Sequence, residues 1–215
     1  MDFKPGNTNV IVISDDGLHT DTLLVIVEKV VEKPFSGIPI EIPGRIEAEN
    51  FNKGTNGLSF FDDTESNQGG EFRPDEPVDI EMCGDNSGGF NVGWINANEW
   101  LNYTVNTENG IYDICLRTAS PSGGGSCKIY LDNDLVATLP ITATGDWQNW
   151  SNMNMYNIEL KEKIEKVLKL HINSGGFNLN YIEFVKSIPA TSIDIVEESV
   201  NLFTLKKSAT FECLI

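Results

Sequence analysis

Residues 112–132 read YDICLRTASPSGGGSCKIYLD. Two short runs rich in Ile, Leu and Tyr, interleaved with polar residues, stand on either side of SPSGGG, a cluster of turn formers. A period near two marks a strand with one buried face, so the stretch predicts two short strands joined as a hairpin. In such a hairpin Cys115 and Cys127 would come opposite each other. A disulfide is one reading of that pair, and two small apolar strand residues is the other. The four cysteines, Cys83, Cys115, Cys127 and Cys213, contain no CxxC pair, which argues against a zinc site.

The same punctuation runs outward from Gly44 to Lys186. RIEAENF, VDIEM, GGFNVGWI, EWLNYTV, LVATLPI, VLKLHI and NLNYIEFV are separated by Gly, Asn, Asp and Ser. Turn signals at intervals of about 8 to 12 residues point to an all-β chain, an antiparallel β-sandwich of the jelly-roll kind. Residues 158–170, IELKEKIEKVLKL, have a helix-forming composition but lie between strand-like MNMYNIEL and VLKLHI, so their middle reads as a turn.

The flanks differ. Residues 1–32 contain two β-branched runs around SDDG and read as a fragment of a preceding β-sandwich-like module, because a lone hairpin is marginal in water. Residues 33–43, KPFSGIPIEIP, read as an extended linker. Residues 187–215 read as a linker followed by a truncated C-terminal segment.

Thirty-two acidic against 15 basic residues give a formal net charge of −17, which argues against binding nucleic acid or an anionic membrane surface. Divalent cations and neutral ligands stay open. No apolar run approaches the roughly 18 residues of a membrane span, and MDFKPGNTNV lacks the basic and apolar regions of a signal peptide. The chain therefore reads as cytosolic or as an internal piece of a secreted protein.

Chemistry centres on the tryptophans and asparagines. Strand tryptophans normally fill a sandwich core. Trp147 differs, since it follows the turn-rich TATGD, and loops lie on the surface. Trp147 and Trp150, three apart in DWQNW, do not share a strand face, so one can anchor the core while the other stands in the loop. In SGGFNLNYIEF, residues 174–184, two amides occupy the mouth of a strand otherwise built for burial. Asparagine is depleted in strands, and its amide offers two donors and an acceptor, which suits either a backbone cap or a ligand rich in hydroxyls.

The blocks GRIEAENF, FNVGWINANEWLNYTV, YDICLRTAS with PSGGGSCKIYLD, TGDWQNW and SGGFNLNYIEF resemble, in order, the family 6 carbohydrate-binding modules. The resemblance spans about residues 44–186 and implies a non-catalytic jelly roll that tethers a covalently linked glycoside hydrolase to a polysaccharide outside the cell. It implies that Trp94 and Trp147 clamp a sugar ring while Asn178 binds its hydroxyls. Asn180 is an alternative, because alternation puts both amides on one face. It admits xylan, β-glucans and agarose; GGEFRPDEPVDIEM is similar to forms attached to laminarinases and agarases, which tilts the ligand toward β-glucans or marine galactans.

Glu47 and Glu49 in IEAEN fall on one strand face about 7 Å apart. Such a pair suits a glycosidase acid and base or a shared calcium ion. The resemblance favours a structural Ca²⁺ held by Glu47, Glu49 and Glu183, if the first and last strands pair. VDIEM, residues 78–82, is similar to the catalytic strand of family 16 glycoside hydrolases, but Asp79 and Glu81 alone do not complete that pattern. His19 and His171 stand apart from any nucleophile context, and no catalytic residue is expected. The competing functional class is a protein-recognition or structural sandwich of a secreted adhesin.

Overall fold

The computed structural model describes residues 6–28, 30–161 and 164–187. Strands β1 (Gly6–Ile13) and β2 (Thr20–Val27) form an antiparallel hairpin closed by the Ser14–His19 turn, with Ile13 opposite Thr20. Both faces of this hairpin are open to solvent along most of its length.

The remaining strands build two six-stranded sheets. The first runs in the order β11 (Asp134–Pro140), β10 (Ser126–Leu131), β13 (Glu165–Ser174), β8 (Trp100–Asn106) and β3 (Ile40–Glu41), with β5 (Phe60–Phe61) also on β8. The second runs β12 (Trp150–Leu160), β9 (Gly110–Ala119), β14 (Asn178–Lys186), β7 (Phe90–Val92) and β6 (Ile80–Met82), with β4 (Gly44–Glu47) beside β14. Pairing is antiparallel except between β3 and β8. The inward members of each alternation, Leu101, Tyr103 and Val105 of β8 and Ile114 and Leu116 of β9, meet Leu179, Ile182 and Phe184 of β14 in one core. Each such side chain stabilises the sandwich by about 1.5–3 kcal/mol relative to exposure. No helix among the described residues is long and apolar enough to cross a membrane.

The structure corrects the hairpin expected over residues 112–132. β9 pairs with β12 and β14, whereas β10 pairs with β11 and β13, so SPSGGG carries the chain from one sheet to the other. The loop is fixed there by backbone bonds between Gly124 and Ile141 and between Ile141 and Gly125, and Gly125 sits against the Phe177 ring. Those partners are distant in sequence, which is why local alternation could not distinguish a crossing from a turn. Cys127 faces the core as a free thiol, while Cys115 falls on the other face of β9 in step with Asp113 and Arg117. The two cysteines are therefore not bonded to each other. Cys213 lies outside the described residues.

Strands end at Leu160 and resume at Glu165, as the turn reading of residues 158–170 requires. β12 and β13 nevertheless belong to different sheets, so this segment also crosses the sandwich. Residues 33–43 are not the extended linker expected: they turn at Pro34–Gly37 and lie on the sandwich, where Ile42 is fully buried, Lys33 bridges to Lys53, and β3 adds to β8. Most of the 187–215 segment lies outside the described residues.

Candidate functional site

The two glycines before β14 decide the local geometry. Gly176 adopts φ +86° and its N–H donates to Ile95 O at 3.1 Å; a Cβ on Gly175 would lie 2.1 Å from that same oxygen. Only a chain without side chains here lets the loop after β7, which carries Trp94, rest against the mouth of β14. Trp94 itself sits at φ +46°, in the left-handed region that bulky residues avoid, and this turns its ring away from the core. Trp94 is 44% exposed and Trp147, in the loop before β12, is 48% exposed.

Between the rings lies Asn178, the first residue of β14, at 3% exposure. Its Nδ2 donates to Glu81 Oε1 and to the Trp147 carbonyl, both at 2.9 Å. Because both partners only accept, the amide orientation is fixed, and Oδ1 is turned toward Gly93. Glu81 Oε1 also accepts from Gln148 Nε2 at 2.8 Å and Asn91 Nδ2 at 3.2 Å. Trp94, Trp147, Asn178 and Glu81 line an open cavity of about 270 Å³. Two apolar rings over one amide and one carboxylate match a flat, hydroxylated ligand, and among the described residues that line the cavity there is no nucleophile.

The model of the carbohydrate binding module, family 6, matches residues 68–186. The chain belongs to this family. It is 30% identical to the carbohydrate binding module of Cellvibrio mixtus lichenase 5A, solved with cellotriose, over 68% of this chain and 98% of that one, with a TM-score of 0.51. A C-terminal family 6 module of a marine laminarinase from Zobellia galactanivorans is 28% identical over 66% of this chain and 98% of that one, with a TM-score of 0.51. The β-1,3-glucan-binding family 6 module from Bacillus halodurans, at 24% identity, 68% and 98% coverage and a TM-score of 0.52, shares the fold. The module is thus a jelly-roll carbohydrate-binding domain.

Within the module, Trp94, Trp147 and Asn178 come together, and Asn180 does not join them. β14 shifts register between Leu179 and Tyr181, so the simple alternation that would pair the two amides breaks at that point. Asn180 Nδ2 instead donates to Asp85 Oδ2 and Ser87 Oγ, both at 3.0 Å. Trp150 is half-buried at the start of β12, with its indole N–H donating to Gln148, and lies outside the core cluster. The reading of it as a core anchor is corrected.

The acidic positions are only partly gathered. β4 does pair with β14, but the register sets Glu183 opposite Arg45, which it meets at 3.5 Å. Glu47 lies opposite Tyr181, and Arg45 covers that ring at 3.9 Å. The strand stops at Glu47, and Glu49 sits in the following 3-10 turn, Ala48–Asn50, so the two do not share a strand face as expected. They remain electrostatic neighbours: burial, reinforced by the Glu47 charge, pushes Glu49 up to about 7, and burial raises Glu47. Glu49 Oε2 is buried without a partner.

Sequence reasoning missed Glu81, Gln148 and Asn91. Glu81 was visible in VDIEM but weighed only as a catalytic acid. Its neighbours come from three other strands or loops, so only the sheet order reveals the amide cage around it.

Proposed function

We propose that the module binds the terminal residues of a β-glucan or marine galactan chain between Trp94 and Trp147, without cleaving it, and so holds a covalently linked glycoside hydrolase at its substrate. The observation that carries this reading is the pair of half-exposed indoles over the buried Asn178 amide. Apolar C–H faces of a pyranose pack on the rings. With Nδ2 occupied by Glu81 and Trp147, the group Asn178 offers is Oδ1, an acceptor for a sugar hydroxyl. The cavity, of about 270 Å³, has room for little more than one ring between the indoles, which suits a chain end. Asn180 serves the scaffold by holding the Asp85 loop.

Polysaccharide lies outside cells, so the reading also carries an extracellular place of work for the full-length protein. Linkage to an enzyme raises the effective concentration of catalyst at the polymer, which makes a weak individual site useful. A structural Ca²⁺ fits Glu47 and Glu49, because a buried carboxylate oxygen without a partner beside a second acid is the donor set a hard cation takes. Glu183, whose charge also raises Glu47, stands beside this pair but meets Arg45 at 3.5 Å, so it is the weakest of the three as a ligand. The ion would lock the 3-10 turn against β4.

Affinity electrophoresis through gels carrying laminarin, barley β-glucan, agarose or xylan, with and without chelator, tests this reading. Retardation by laminarin, barley β-glucan or agarose is expected. Retardation by xylan alone would overturn the ligand class, and none in any gel with the fold intact would overturn the site.

A further inference from the structure

A second acidic group stands apart from Glu47 and Glu49. Asp62 and Asp63 follow β5, and Glu99 precedes β8 at the end of the loop that carries Trp94. One carboxylate oxygen from each lies within 4.8 Å of the other two. Two oxygens on a calcium coordination sphere of radius about 2.4 Å are at most about 4.8 Å apart, so all three separations fall within the span of one ion's shell.

Proximity of acids alone would not make a site, but Glu99 adds an independent observation. The residue is 7% exposed, its Oε2 accepts the Asn96 N–H at 2.9 Å, and its Oε1 is buried with no partner. No Lys or Arg among the described residues forms an ion pair with Asp62, Asp63 or Glu99. Burial first, and then the Asp62 and Asp63 carboxylates, push Glu99 up to about 8, and Asp62 is raised by its own burial. A buried carboxylate oxygen without a partner is destabilising, and a cation would satisfy it.

We propose that Asp62, Asp63 and Glu99 bind a calcium ion that clamps the Trp94 loop to the loop after β5. All three ligands are carboxylates, which suits a hard cation that tolerates irregular geometry and completes its shell with water. The loop has reason to be clamped. Trp94 at φ +46° occupies the left-handed region that bulky residues adopt only when the surroundings impose it, and Asn98 at φ +74° follows in the same region. On one side Gly175 and Gly176 hold Ile95; on the other, Asn96 Nδ2 donates to Asp63 Oδ1 at 3.1 Å and Asn98 N–H donates to Ile172 O at 2.8 Å. The ion would bind Asp63 and Glu99, the two acids that already grip Asn96. The consequence for ligand rests on the sugar site proposed above: with calcium bound, Trp94 is pre-positioned, and glycan affinity rises.

The test separates the ion from the sugar. Calcium is titrated calorimetrically into the chelator-stripped whole chain, its Glu99→Gln and Asp63→Asn variants, and Glu49→Gln. Terbium, excited through the indole of Trp100, which lines the same recess, reports this site directly. The wild type is expected to show a binding event and terbium emission that Glu49→Gln retains and that Glu99→Gln and Asp63→Asn weaken by about 10-fold or more. Asp63 is exposed, so Asp63→Asn keeps the test decisive if Glu99→Gln does not fold. Equal calcium stoichiometry and affinity in wild type and Asp63→Asn, with unchanged terbium emission, would overturn the proposal. Calcium bound with no change in laminarin affinity would leave the ion in place and overturn only its coupling to Trp94.

Discussion

The two ends of β12 open onto clefts of opposite character. Before its first residue, Trp147 joins Trp94 over a cavity of about 270 Å³ floored by Asn178 and Glu81. Around its last residues, Asn157–Leu160, a cleft of about 520 Å³ is lined by aliphatic and charged side chains from β10, β11 and β13, with no aromatic ring among them. The larger cleft has the solvent-exposed Lys161 and the ion-paired Lys166 where the smaller has indoles. On the reading proposed above, volume does not make the sugar site. Rings held out of the core do, with backbone strain at Trp94 and a captured carbonyl at Trp147 holding them there.

The largest effect should come from deleting one ring. Trp147→Ala is expected to lower glycan affinity by about 30-fold, the scale of a hot-spot side chain near 2 kcal/mol, with thermal stability within about 0.5 kcal/mol because the ring is half exposed. Leu135→Ala in the opposite cleft should leave affinity within about twofold. Calorimetry against laminarin oligosaccharides checks both, and equal losses would erase the distinction between the ends.

Next in size is the support behind the rings. In Gly175→Ala the new Cβ meets Ile95 O and Asn96, both backbone, so the Trp94 loop must shift. A cost of about 1–3 kcal/mol in stability and roughly 10-fold in glycan affinity is expected. Gly176→Ala meets open space and carries only the left-handed penalty, about 1 kcal/mol. Denaturant melts paired with binding curves sharpen the comparison: if Gly175→Ala lost stability but not affinity, Trp94 would not depend on its loop.

Much of this architecture was legible in residues alone. Strand existence and the sandwich class follow from period-two runs and turn residues, which are local signals; the pairing of the first and last sandwich strands was expected only alongside the family resemblance. Trp94, Trp147 and Asn178 were legible because the family blocks place them. What stayed hidden depends on partners far along the chain. The SPSGGG crossing is set by Ile141 and Phe177, the separation of Asn178 from Asn180 by a register shift against β9, and the amide cage on Glu81 by four strands or loops meeting. Glu183 was assigned from strand pairing alone, and a shift of two residues in register would have been needed to put it opposite Glu47.

A smaller, pH-dependent effect belongs to the network next to the pocket. Arg117 donates from Nε to Asp85 Oδ2 and from Nη2 to Oδ1, both at 2.7 Å, and Asn180 adds a third bond. The Arg117 hydrogen bonds hold the Asp85 carboxyl below its ordinary value. A depressed folded-state pKa contributes stability that is present above the unfolded value, near 4, and is lost as pH falls through the folded one. Asp85→Asn is expected to lose about 1–2 kcal/mol at pH 7, with the gap to wild type closing as melts move below pH 4. Glycan affinity at pH 7 should stay within about twofold, since Asp85 does not line the cavity. A gap independent of pH would show that packing of the loop, and not the charge, carries the contribution.

The smallest expected effect is at the far end of β12, where the comparison is most exposed to failure. Lys161 and Glu159 stand 3.6 Å apart with both side chains largely in solvent. An exposed pair gains little Coulomb energy and gives up side-chain freedom to form, so Lys161→Ala should change stability by no more than about 0.5 kcal/mol. Its effect on glycan affinity should be nil, because a flexible ammonium offers donors without a flat face for a ring to rest on. A loss of affinity beyond about twofold in the same laminarin titration would mean that the larger cleft also holds carbohydrate, and that hydrogen bonding from mobile side chains suffices where the Trp94 end uses stacking.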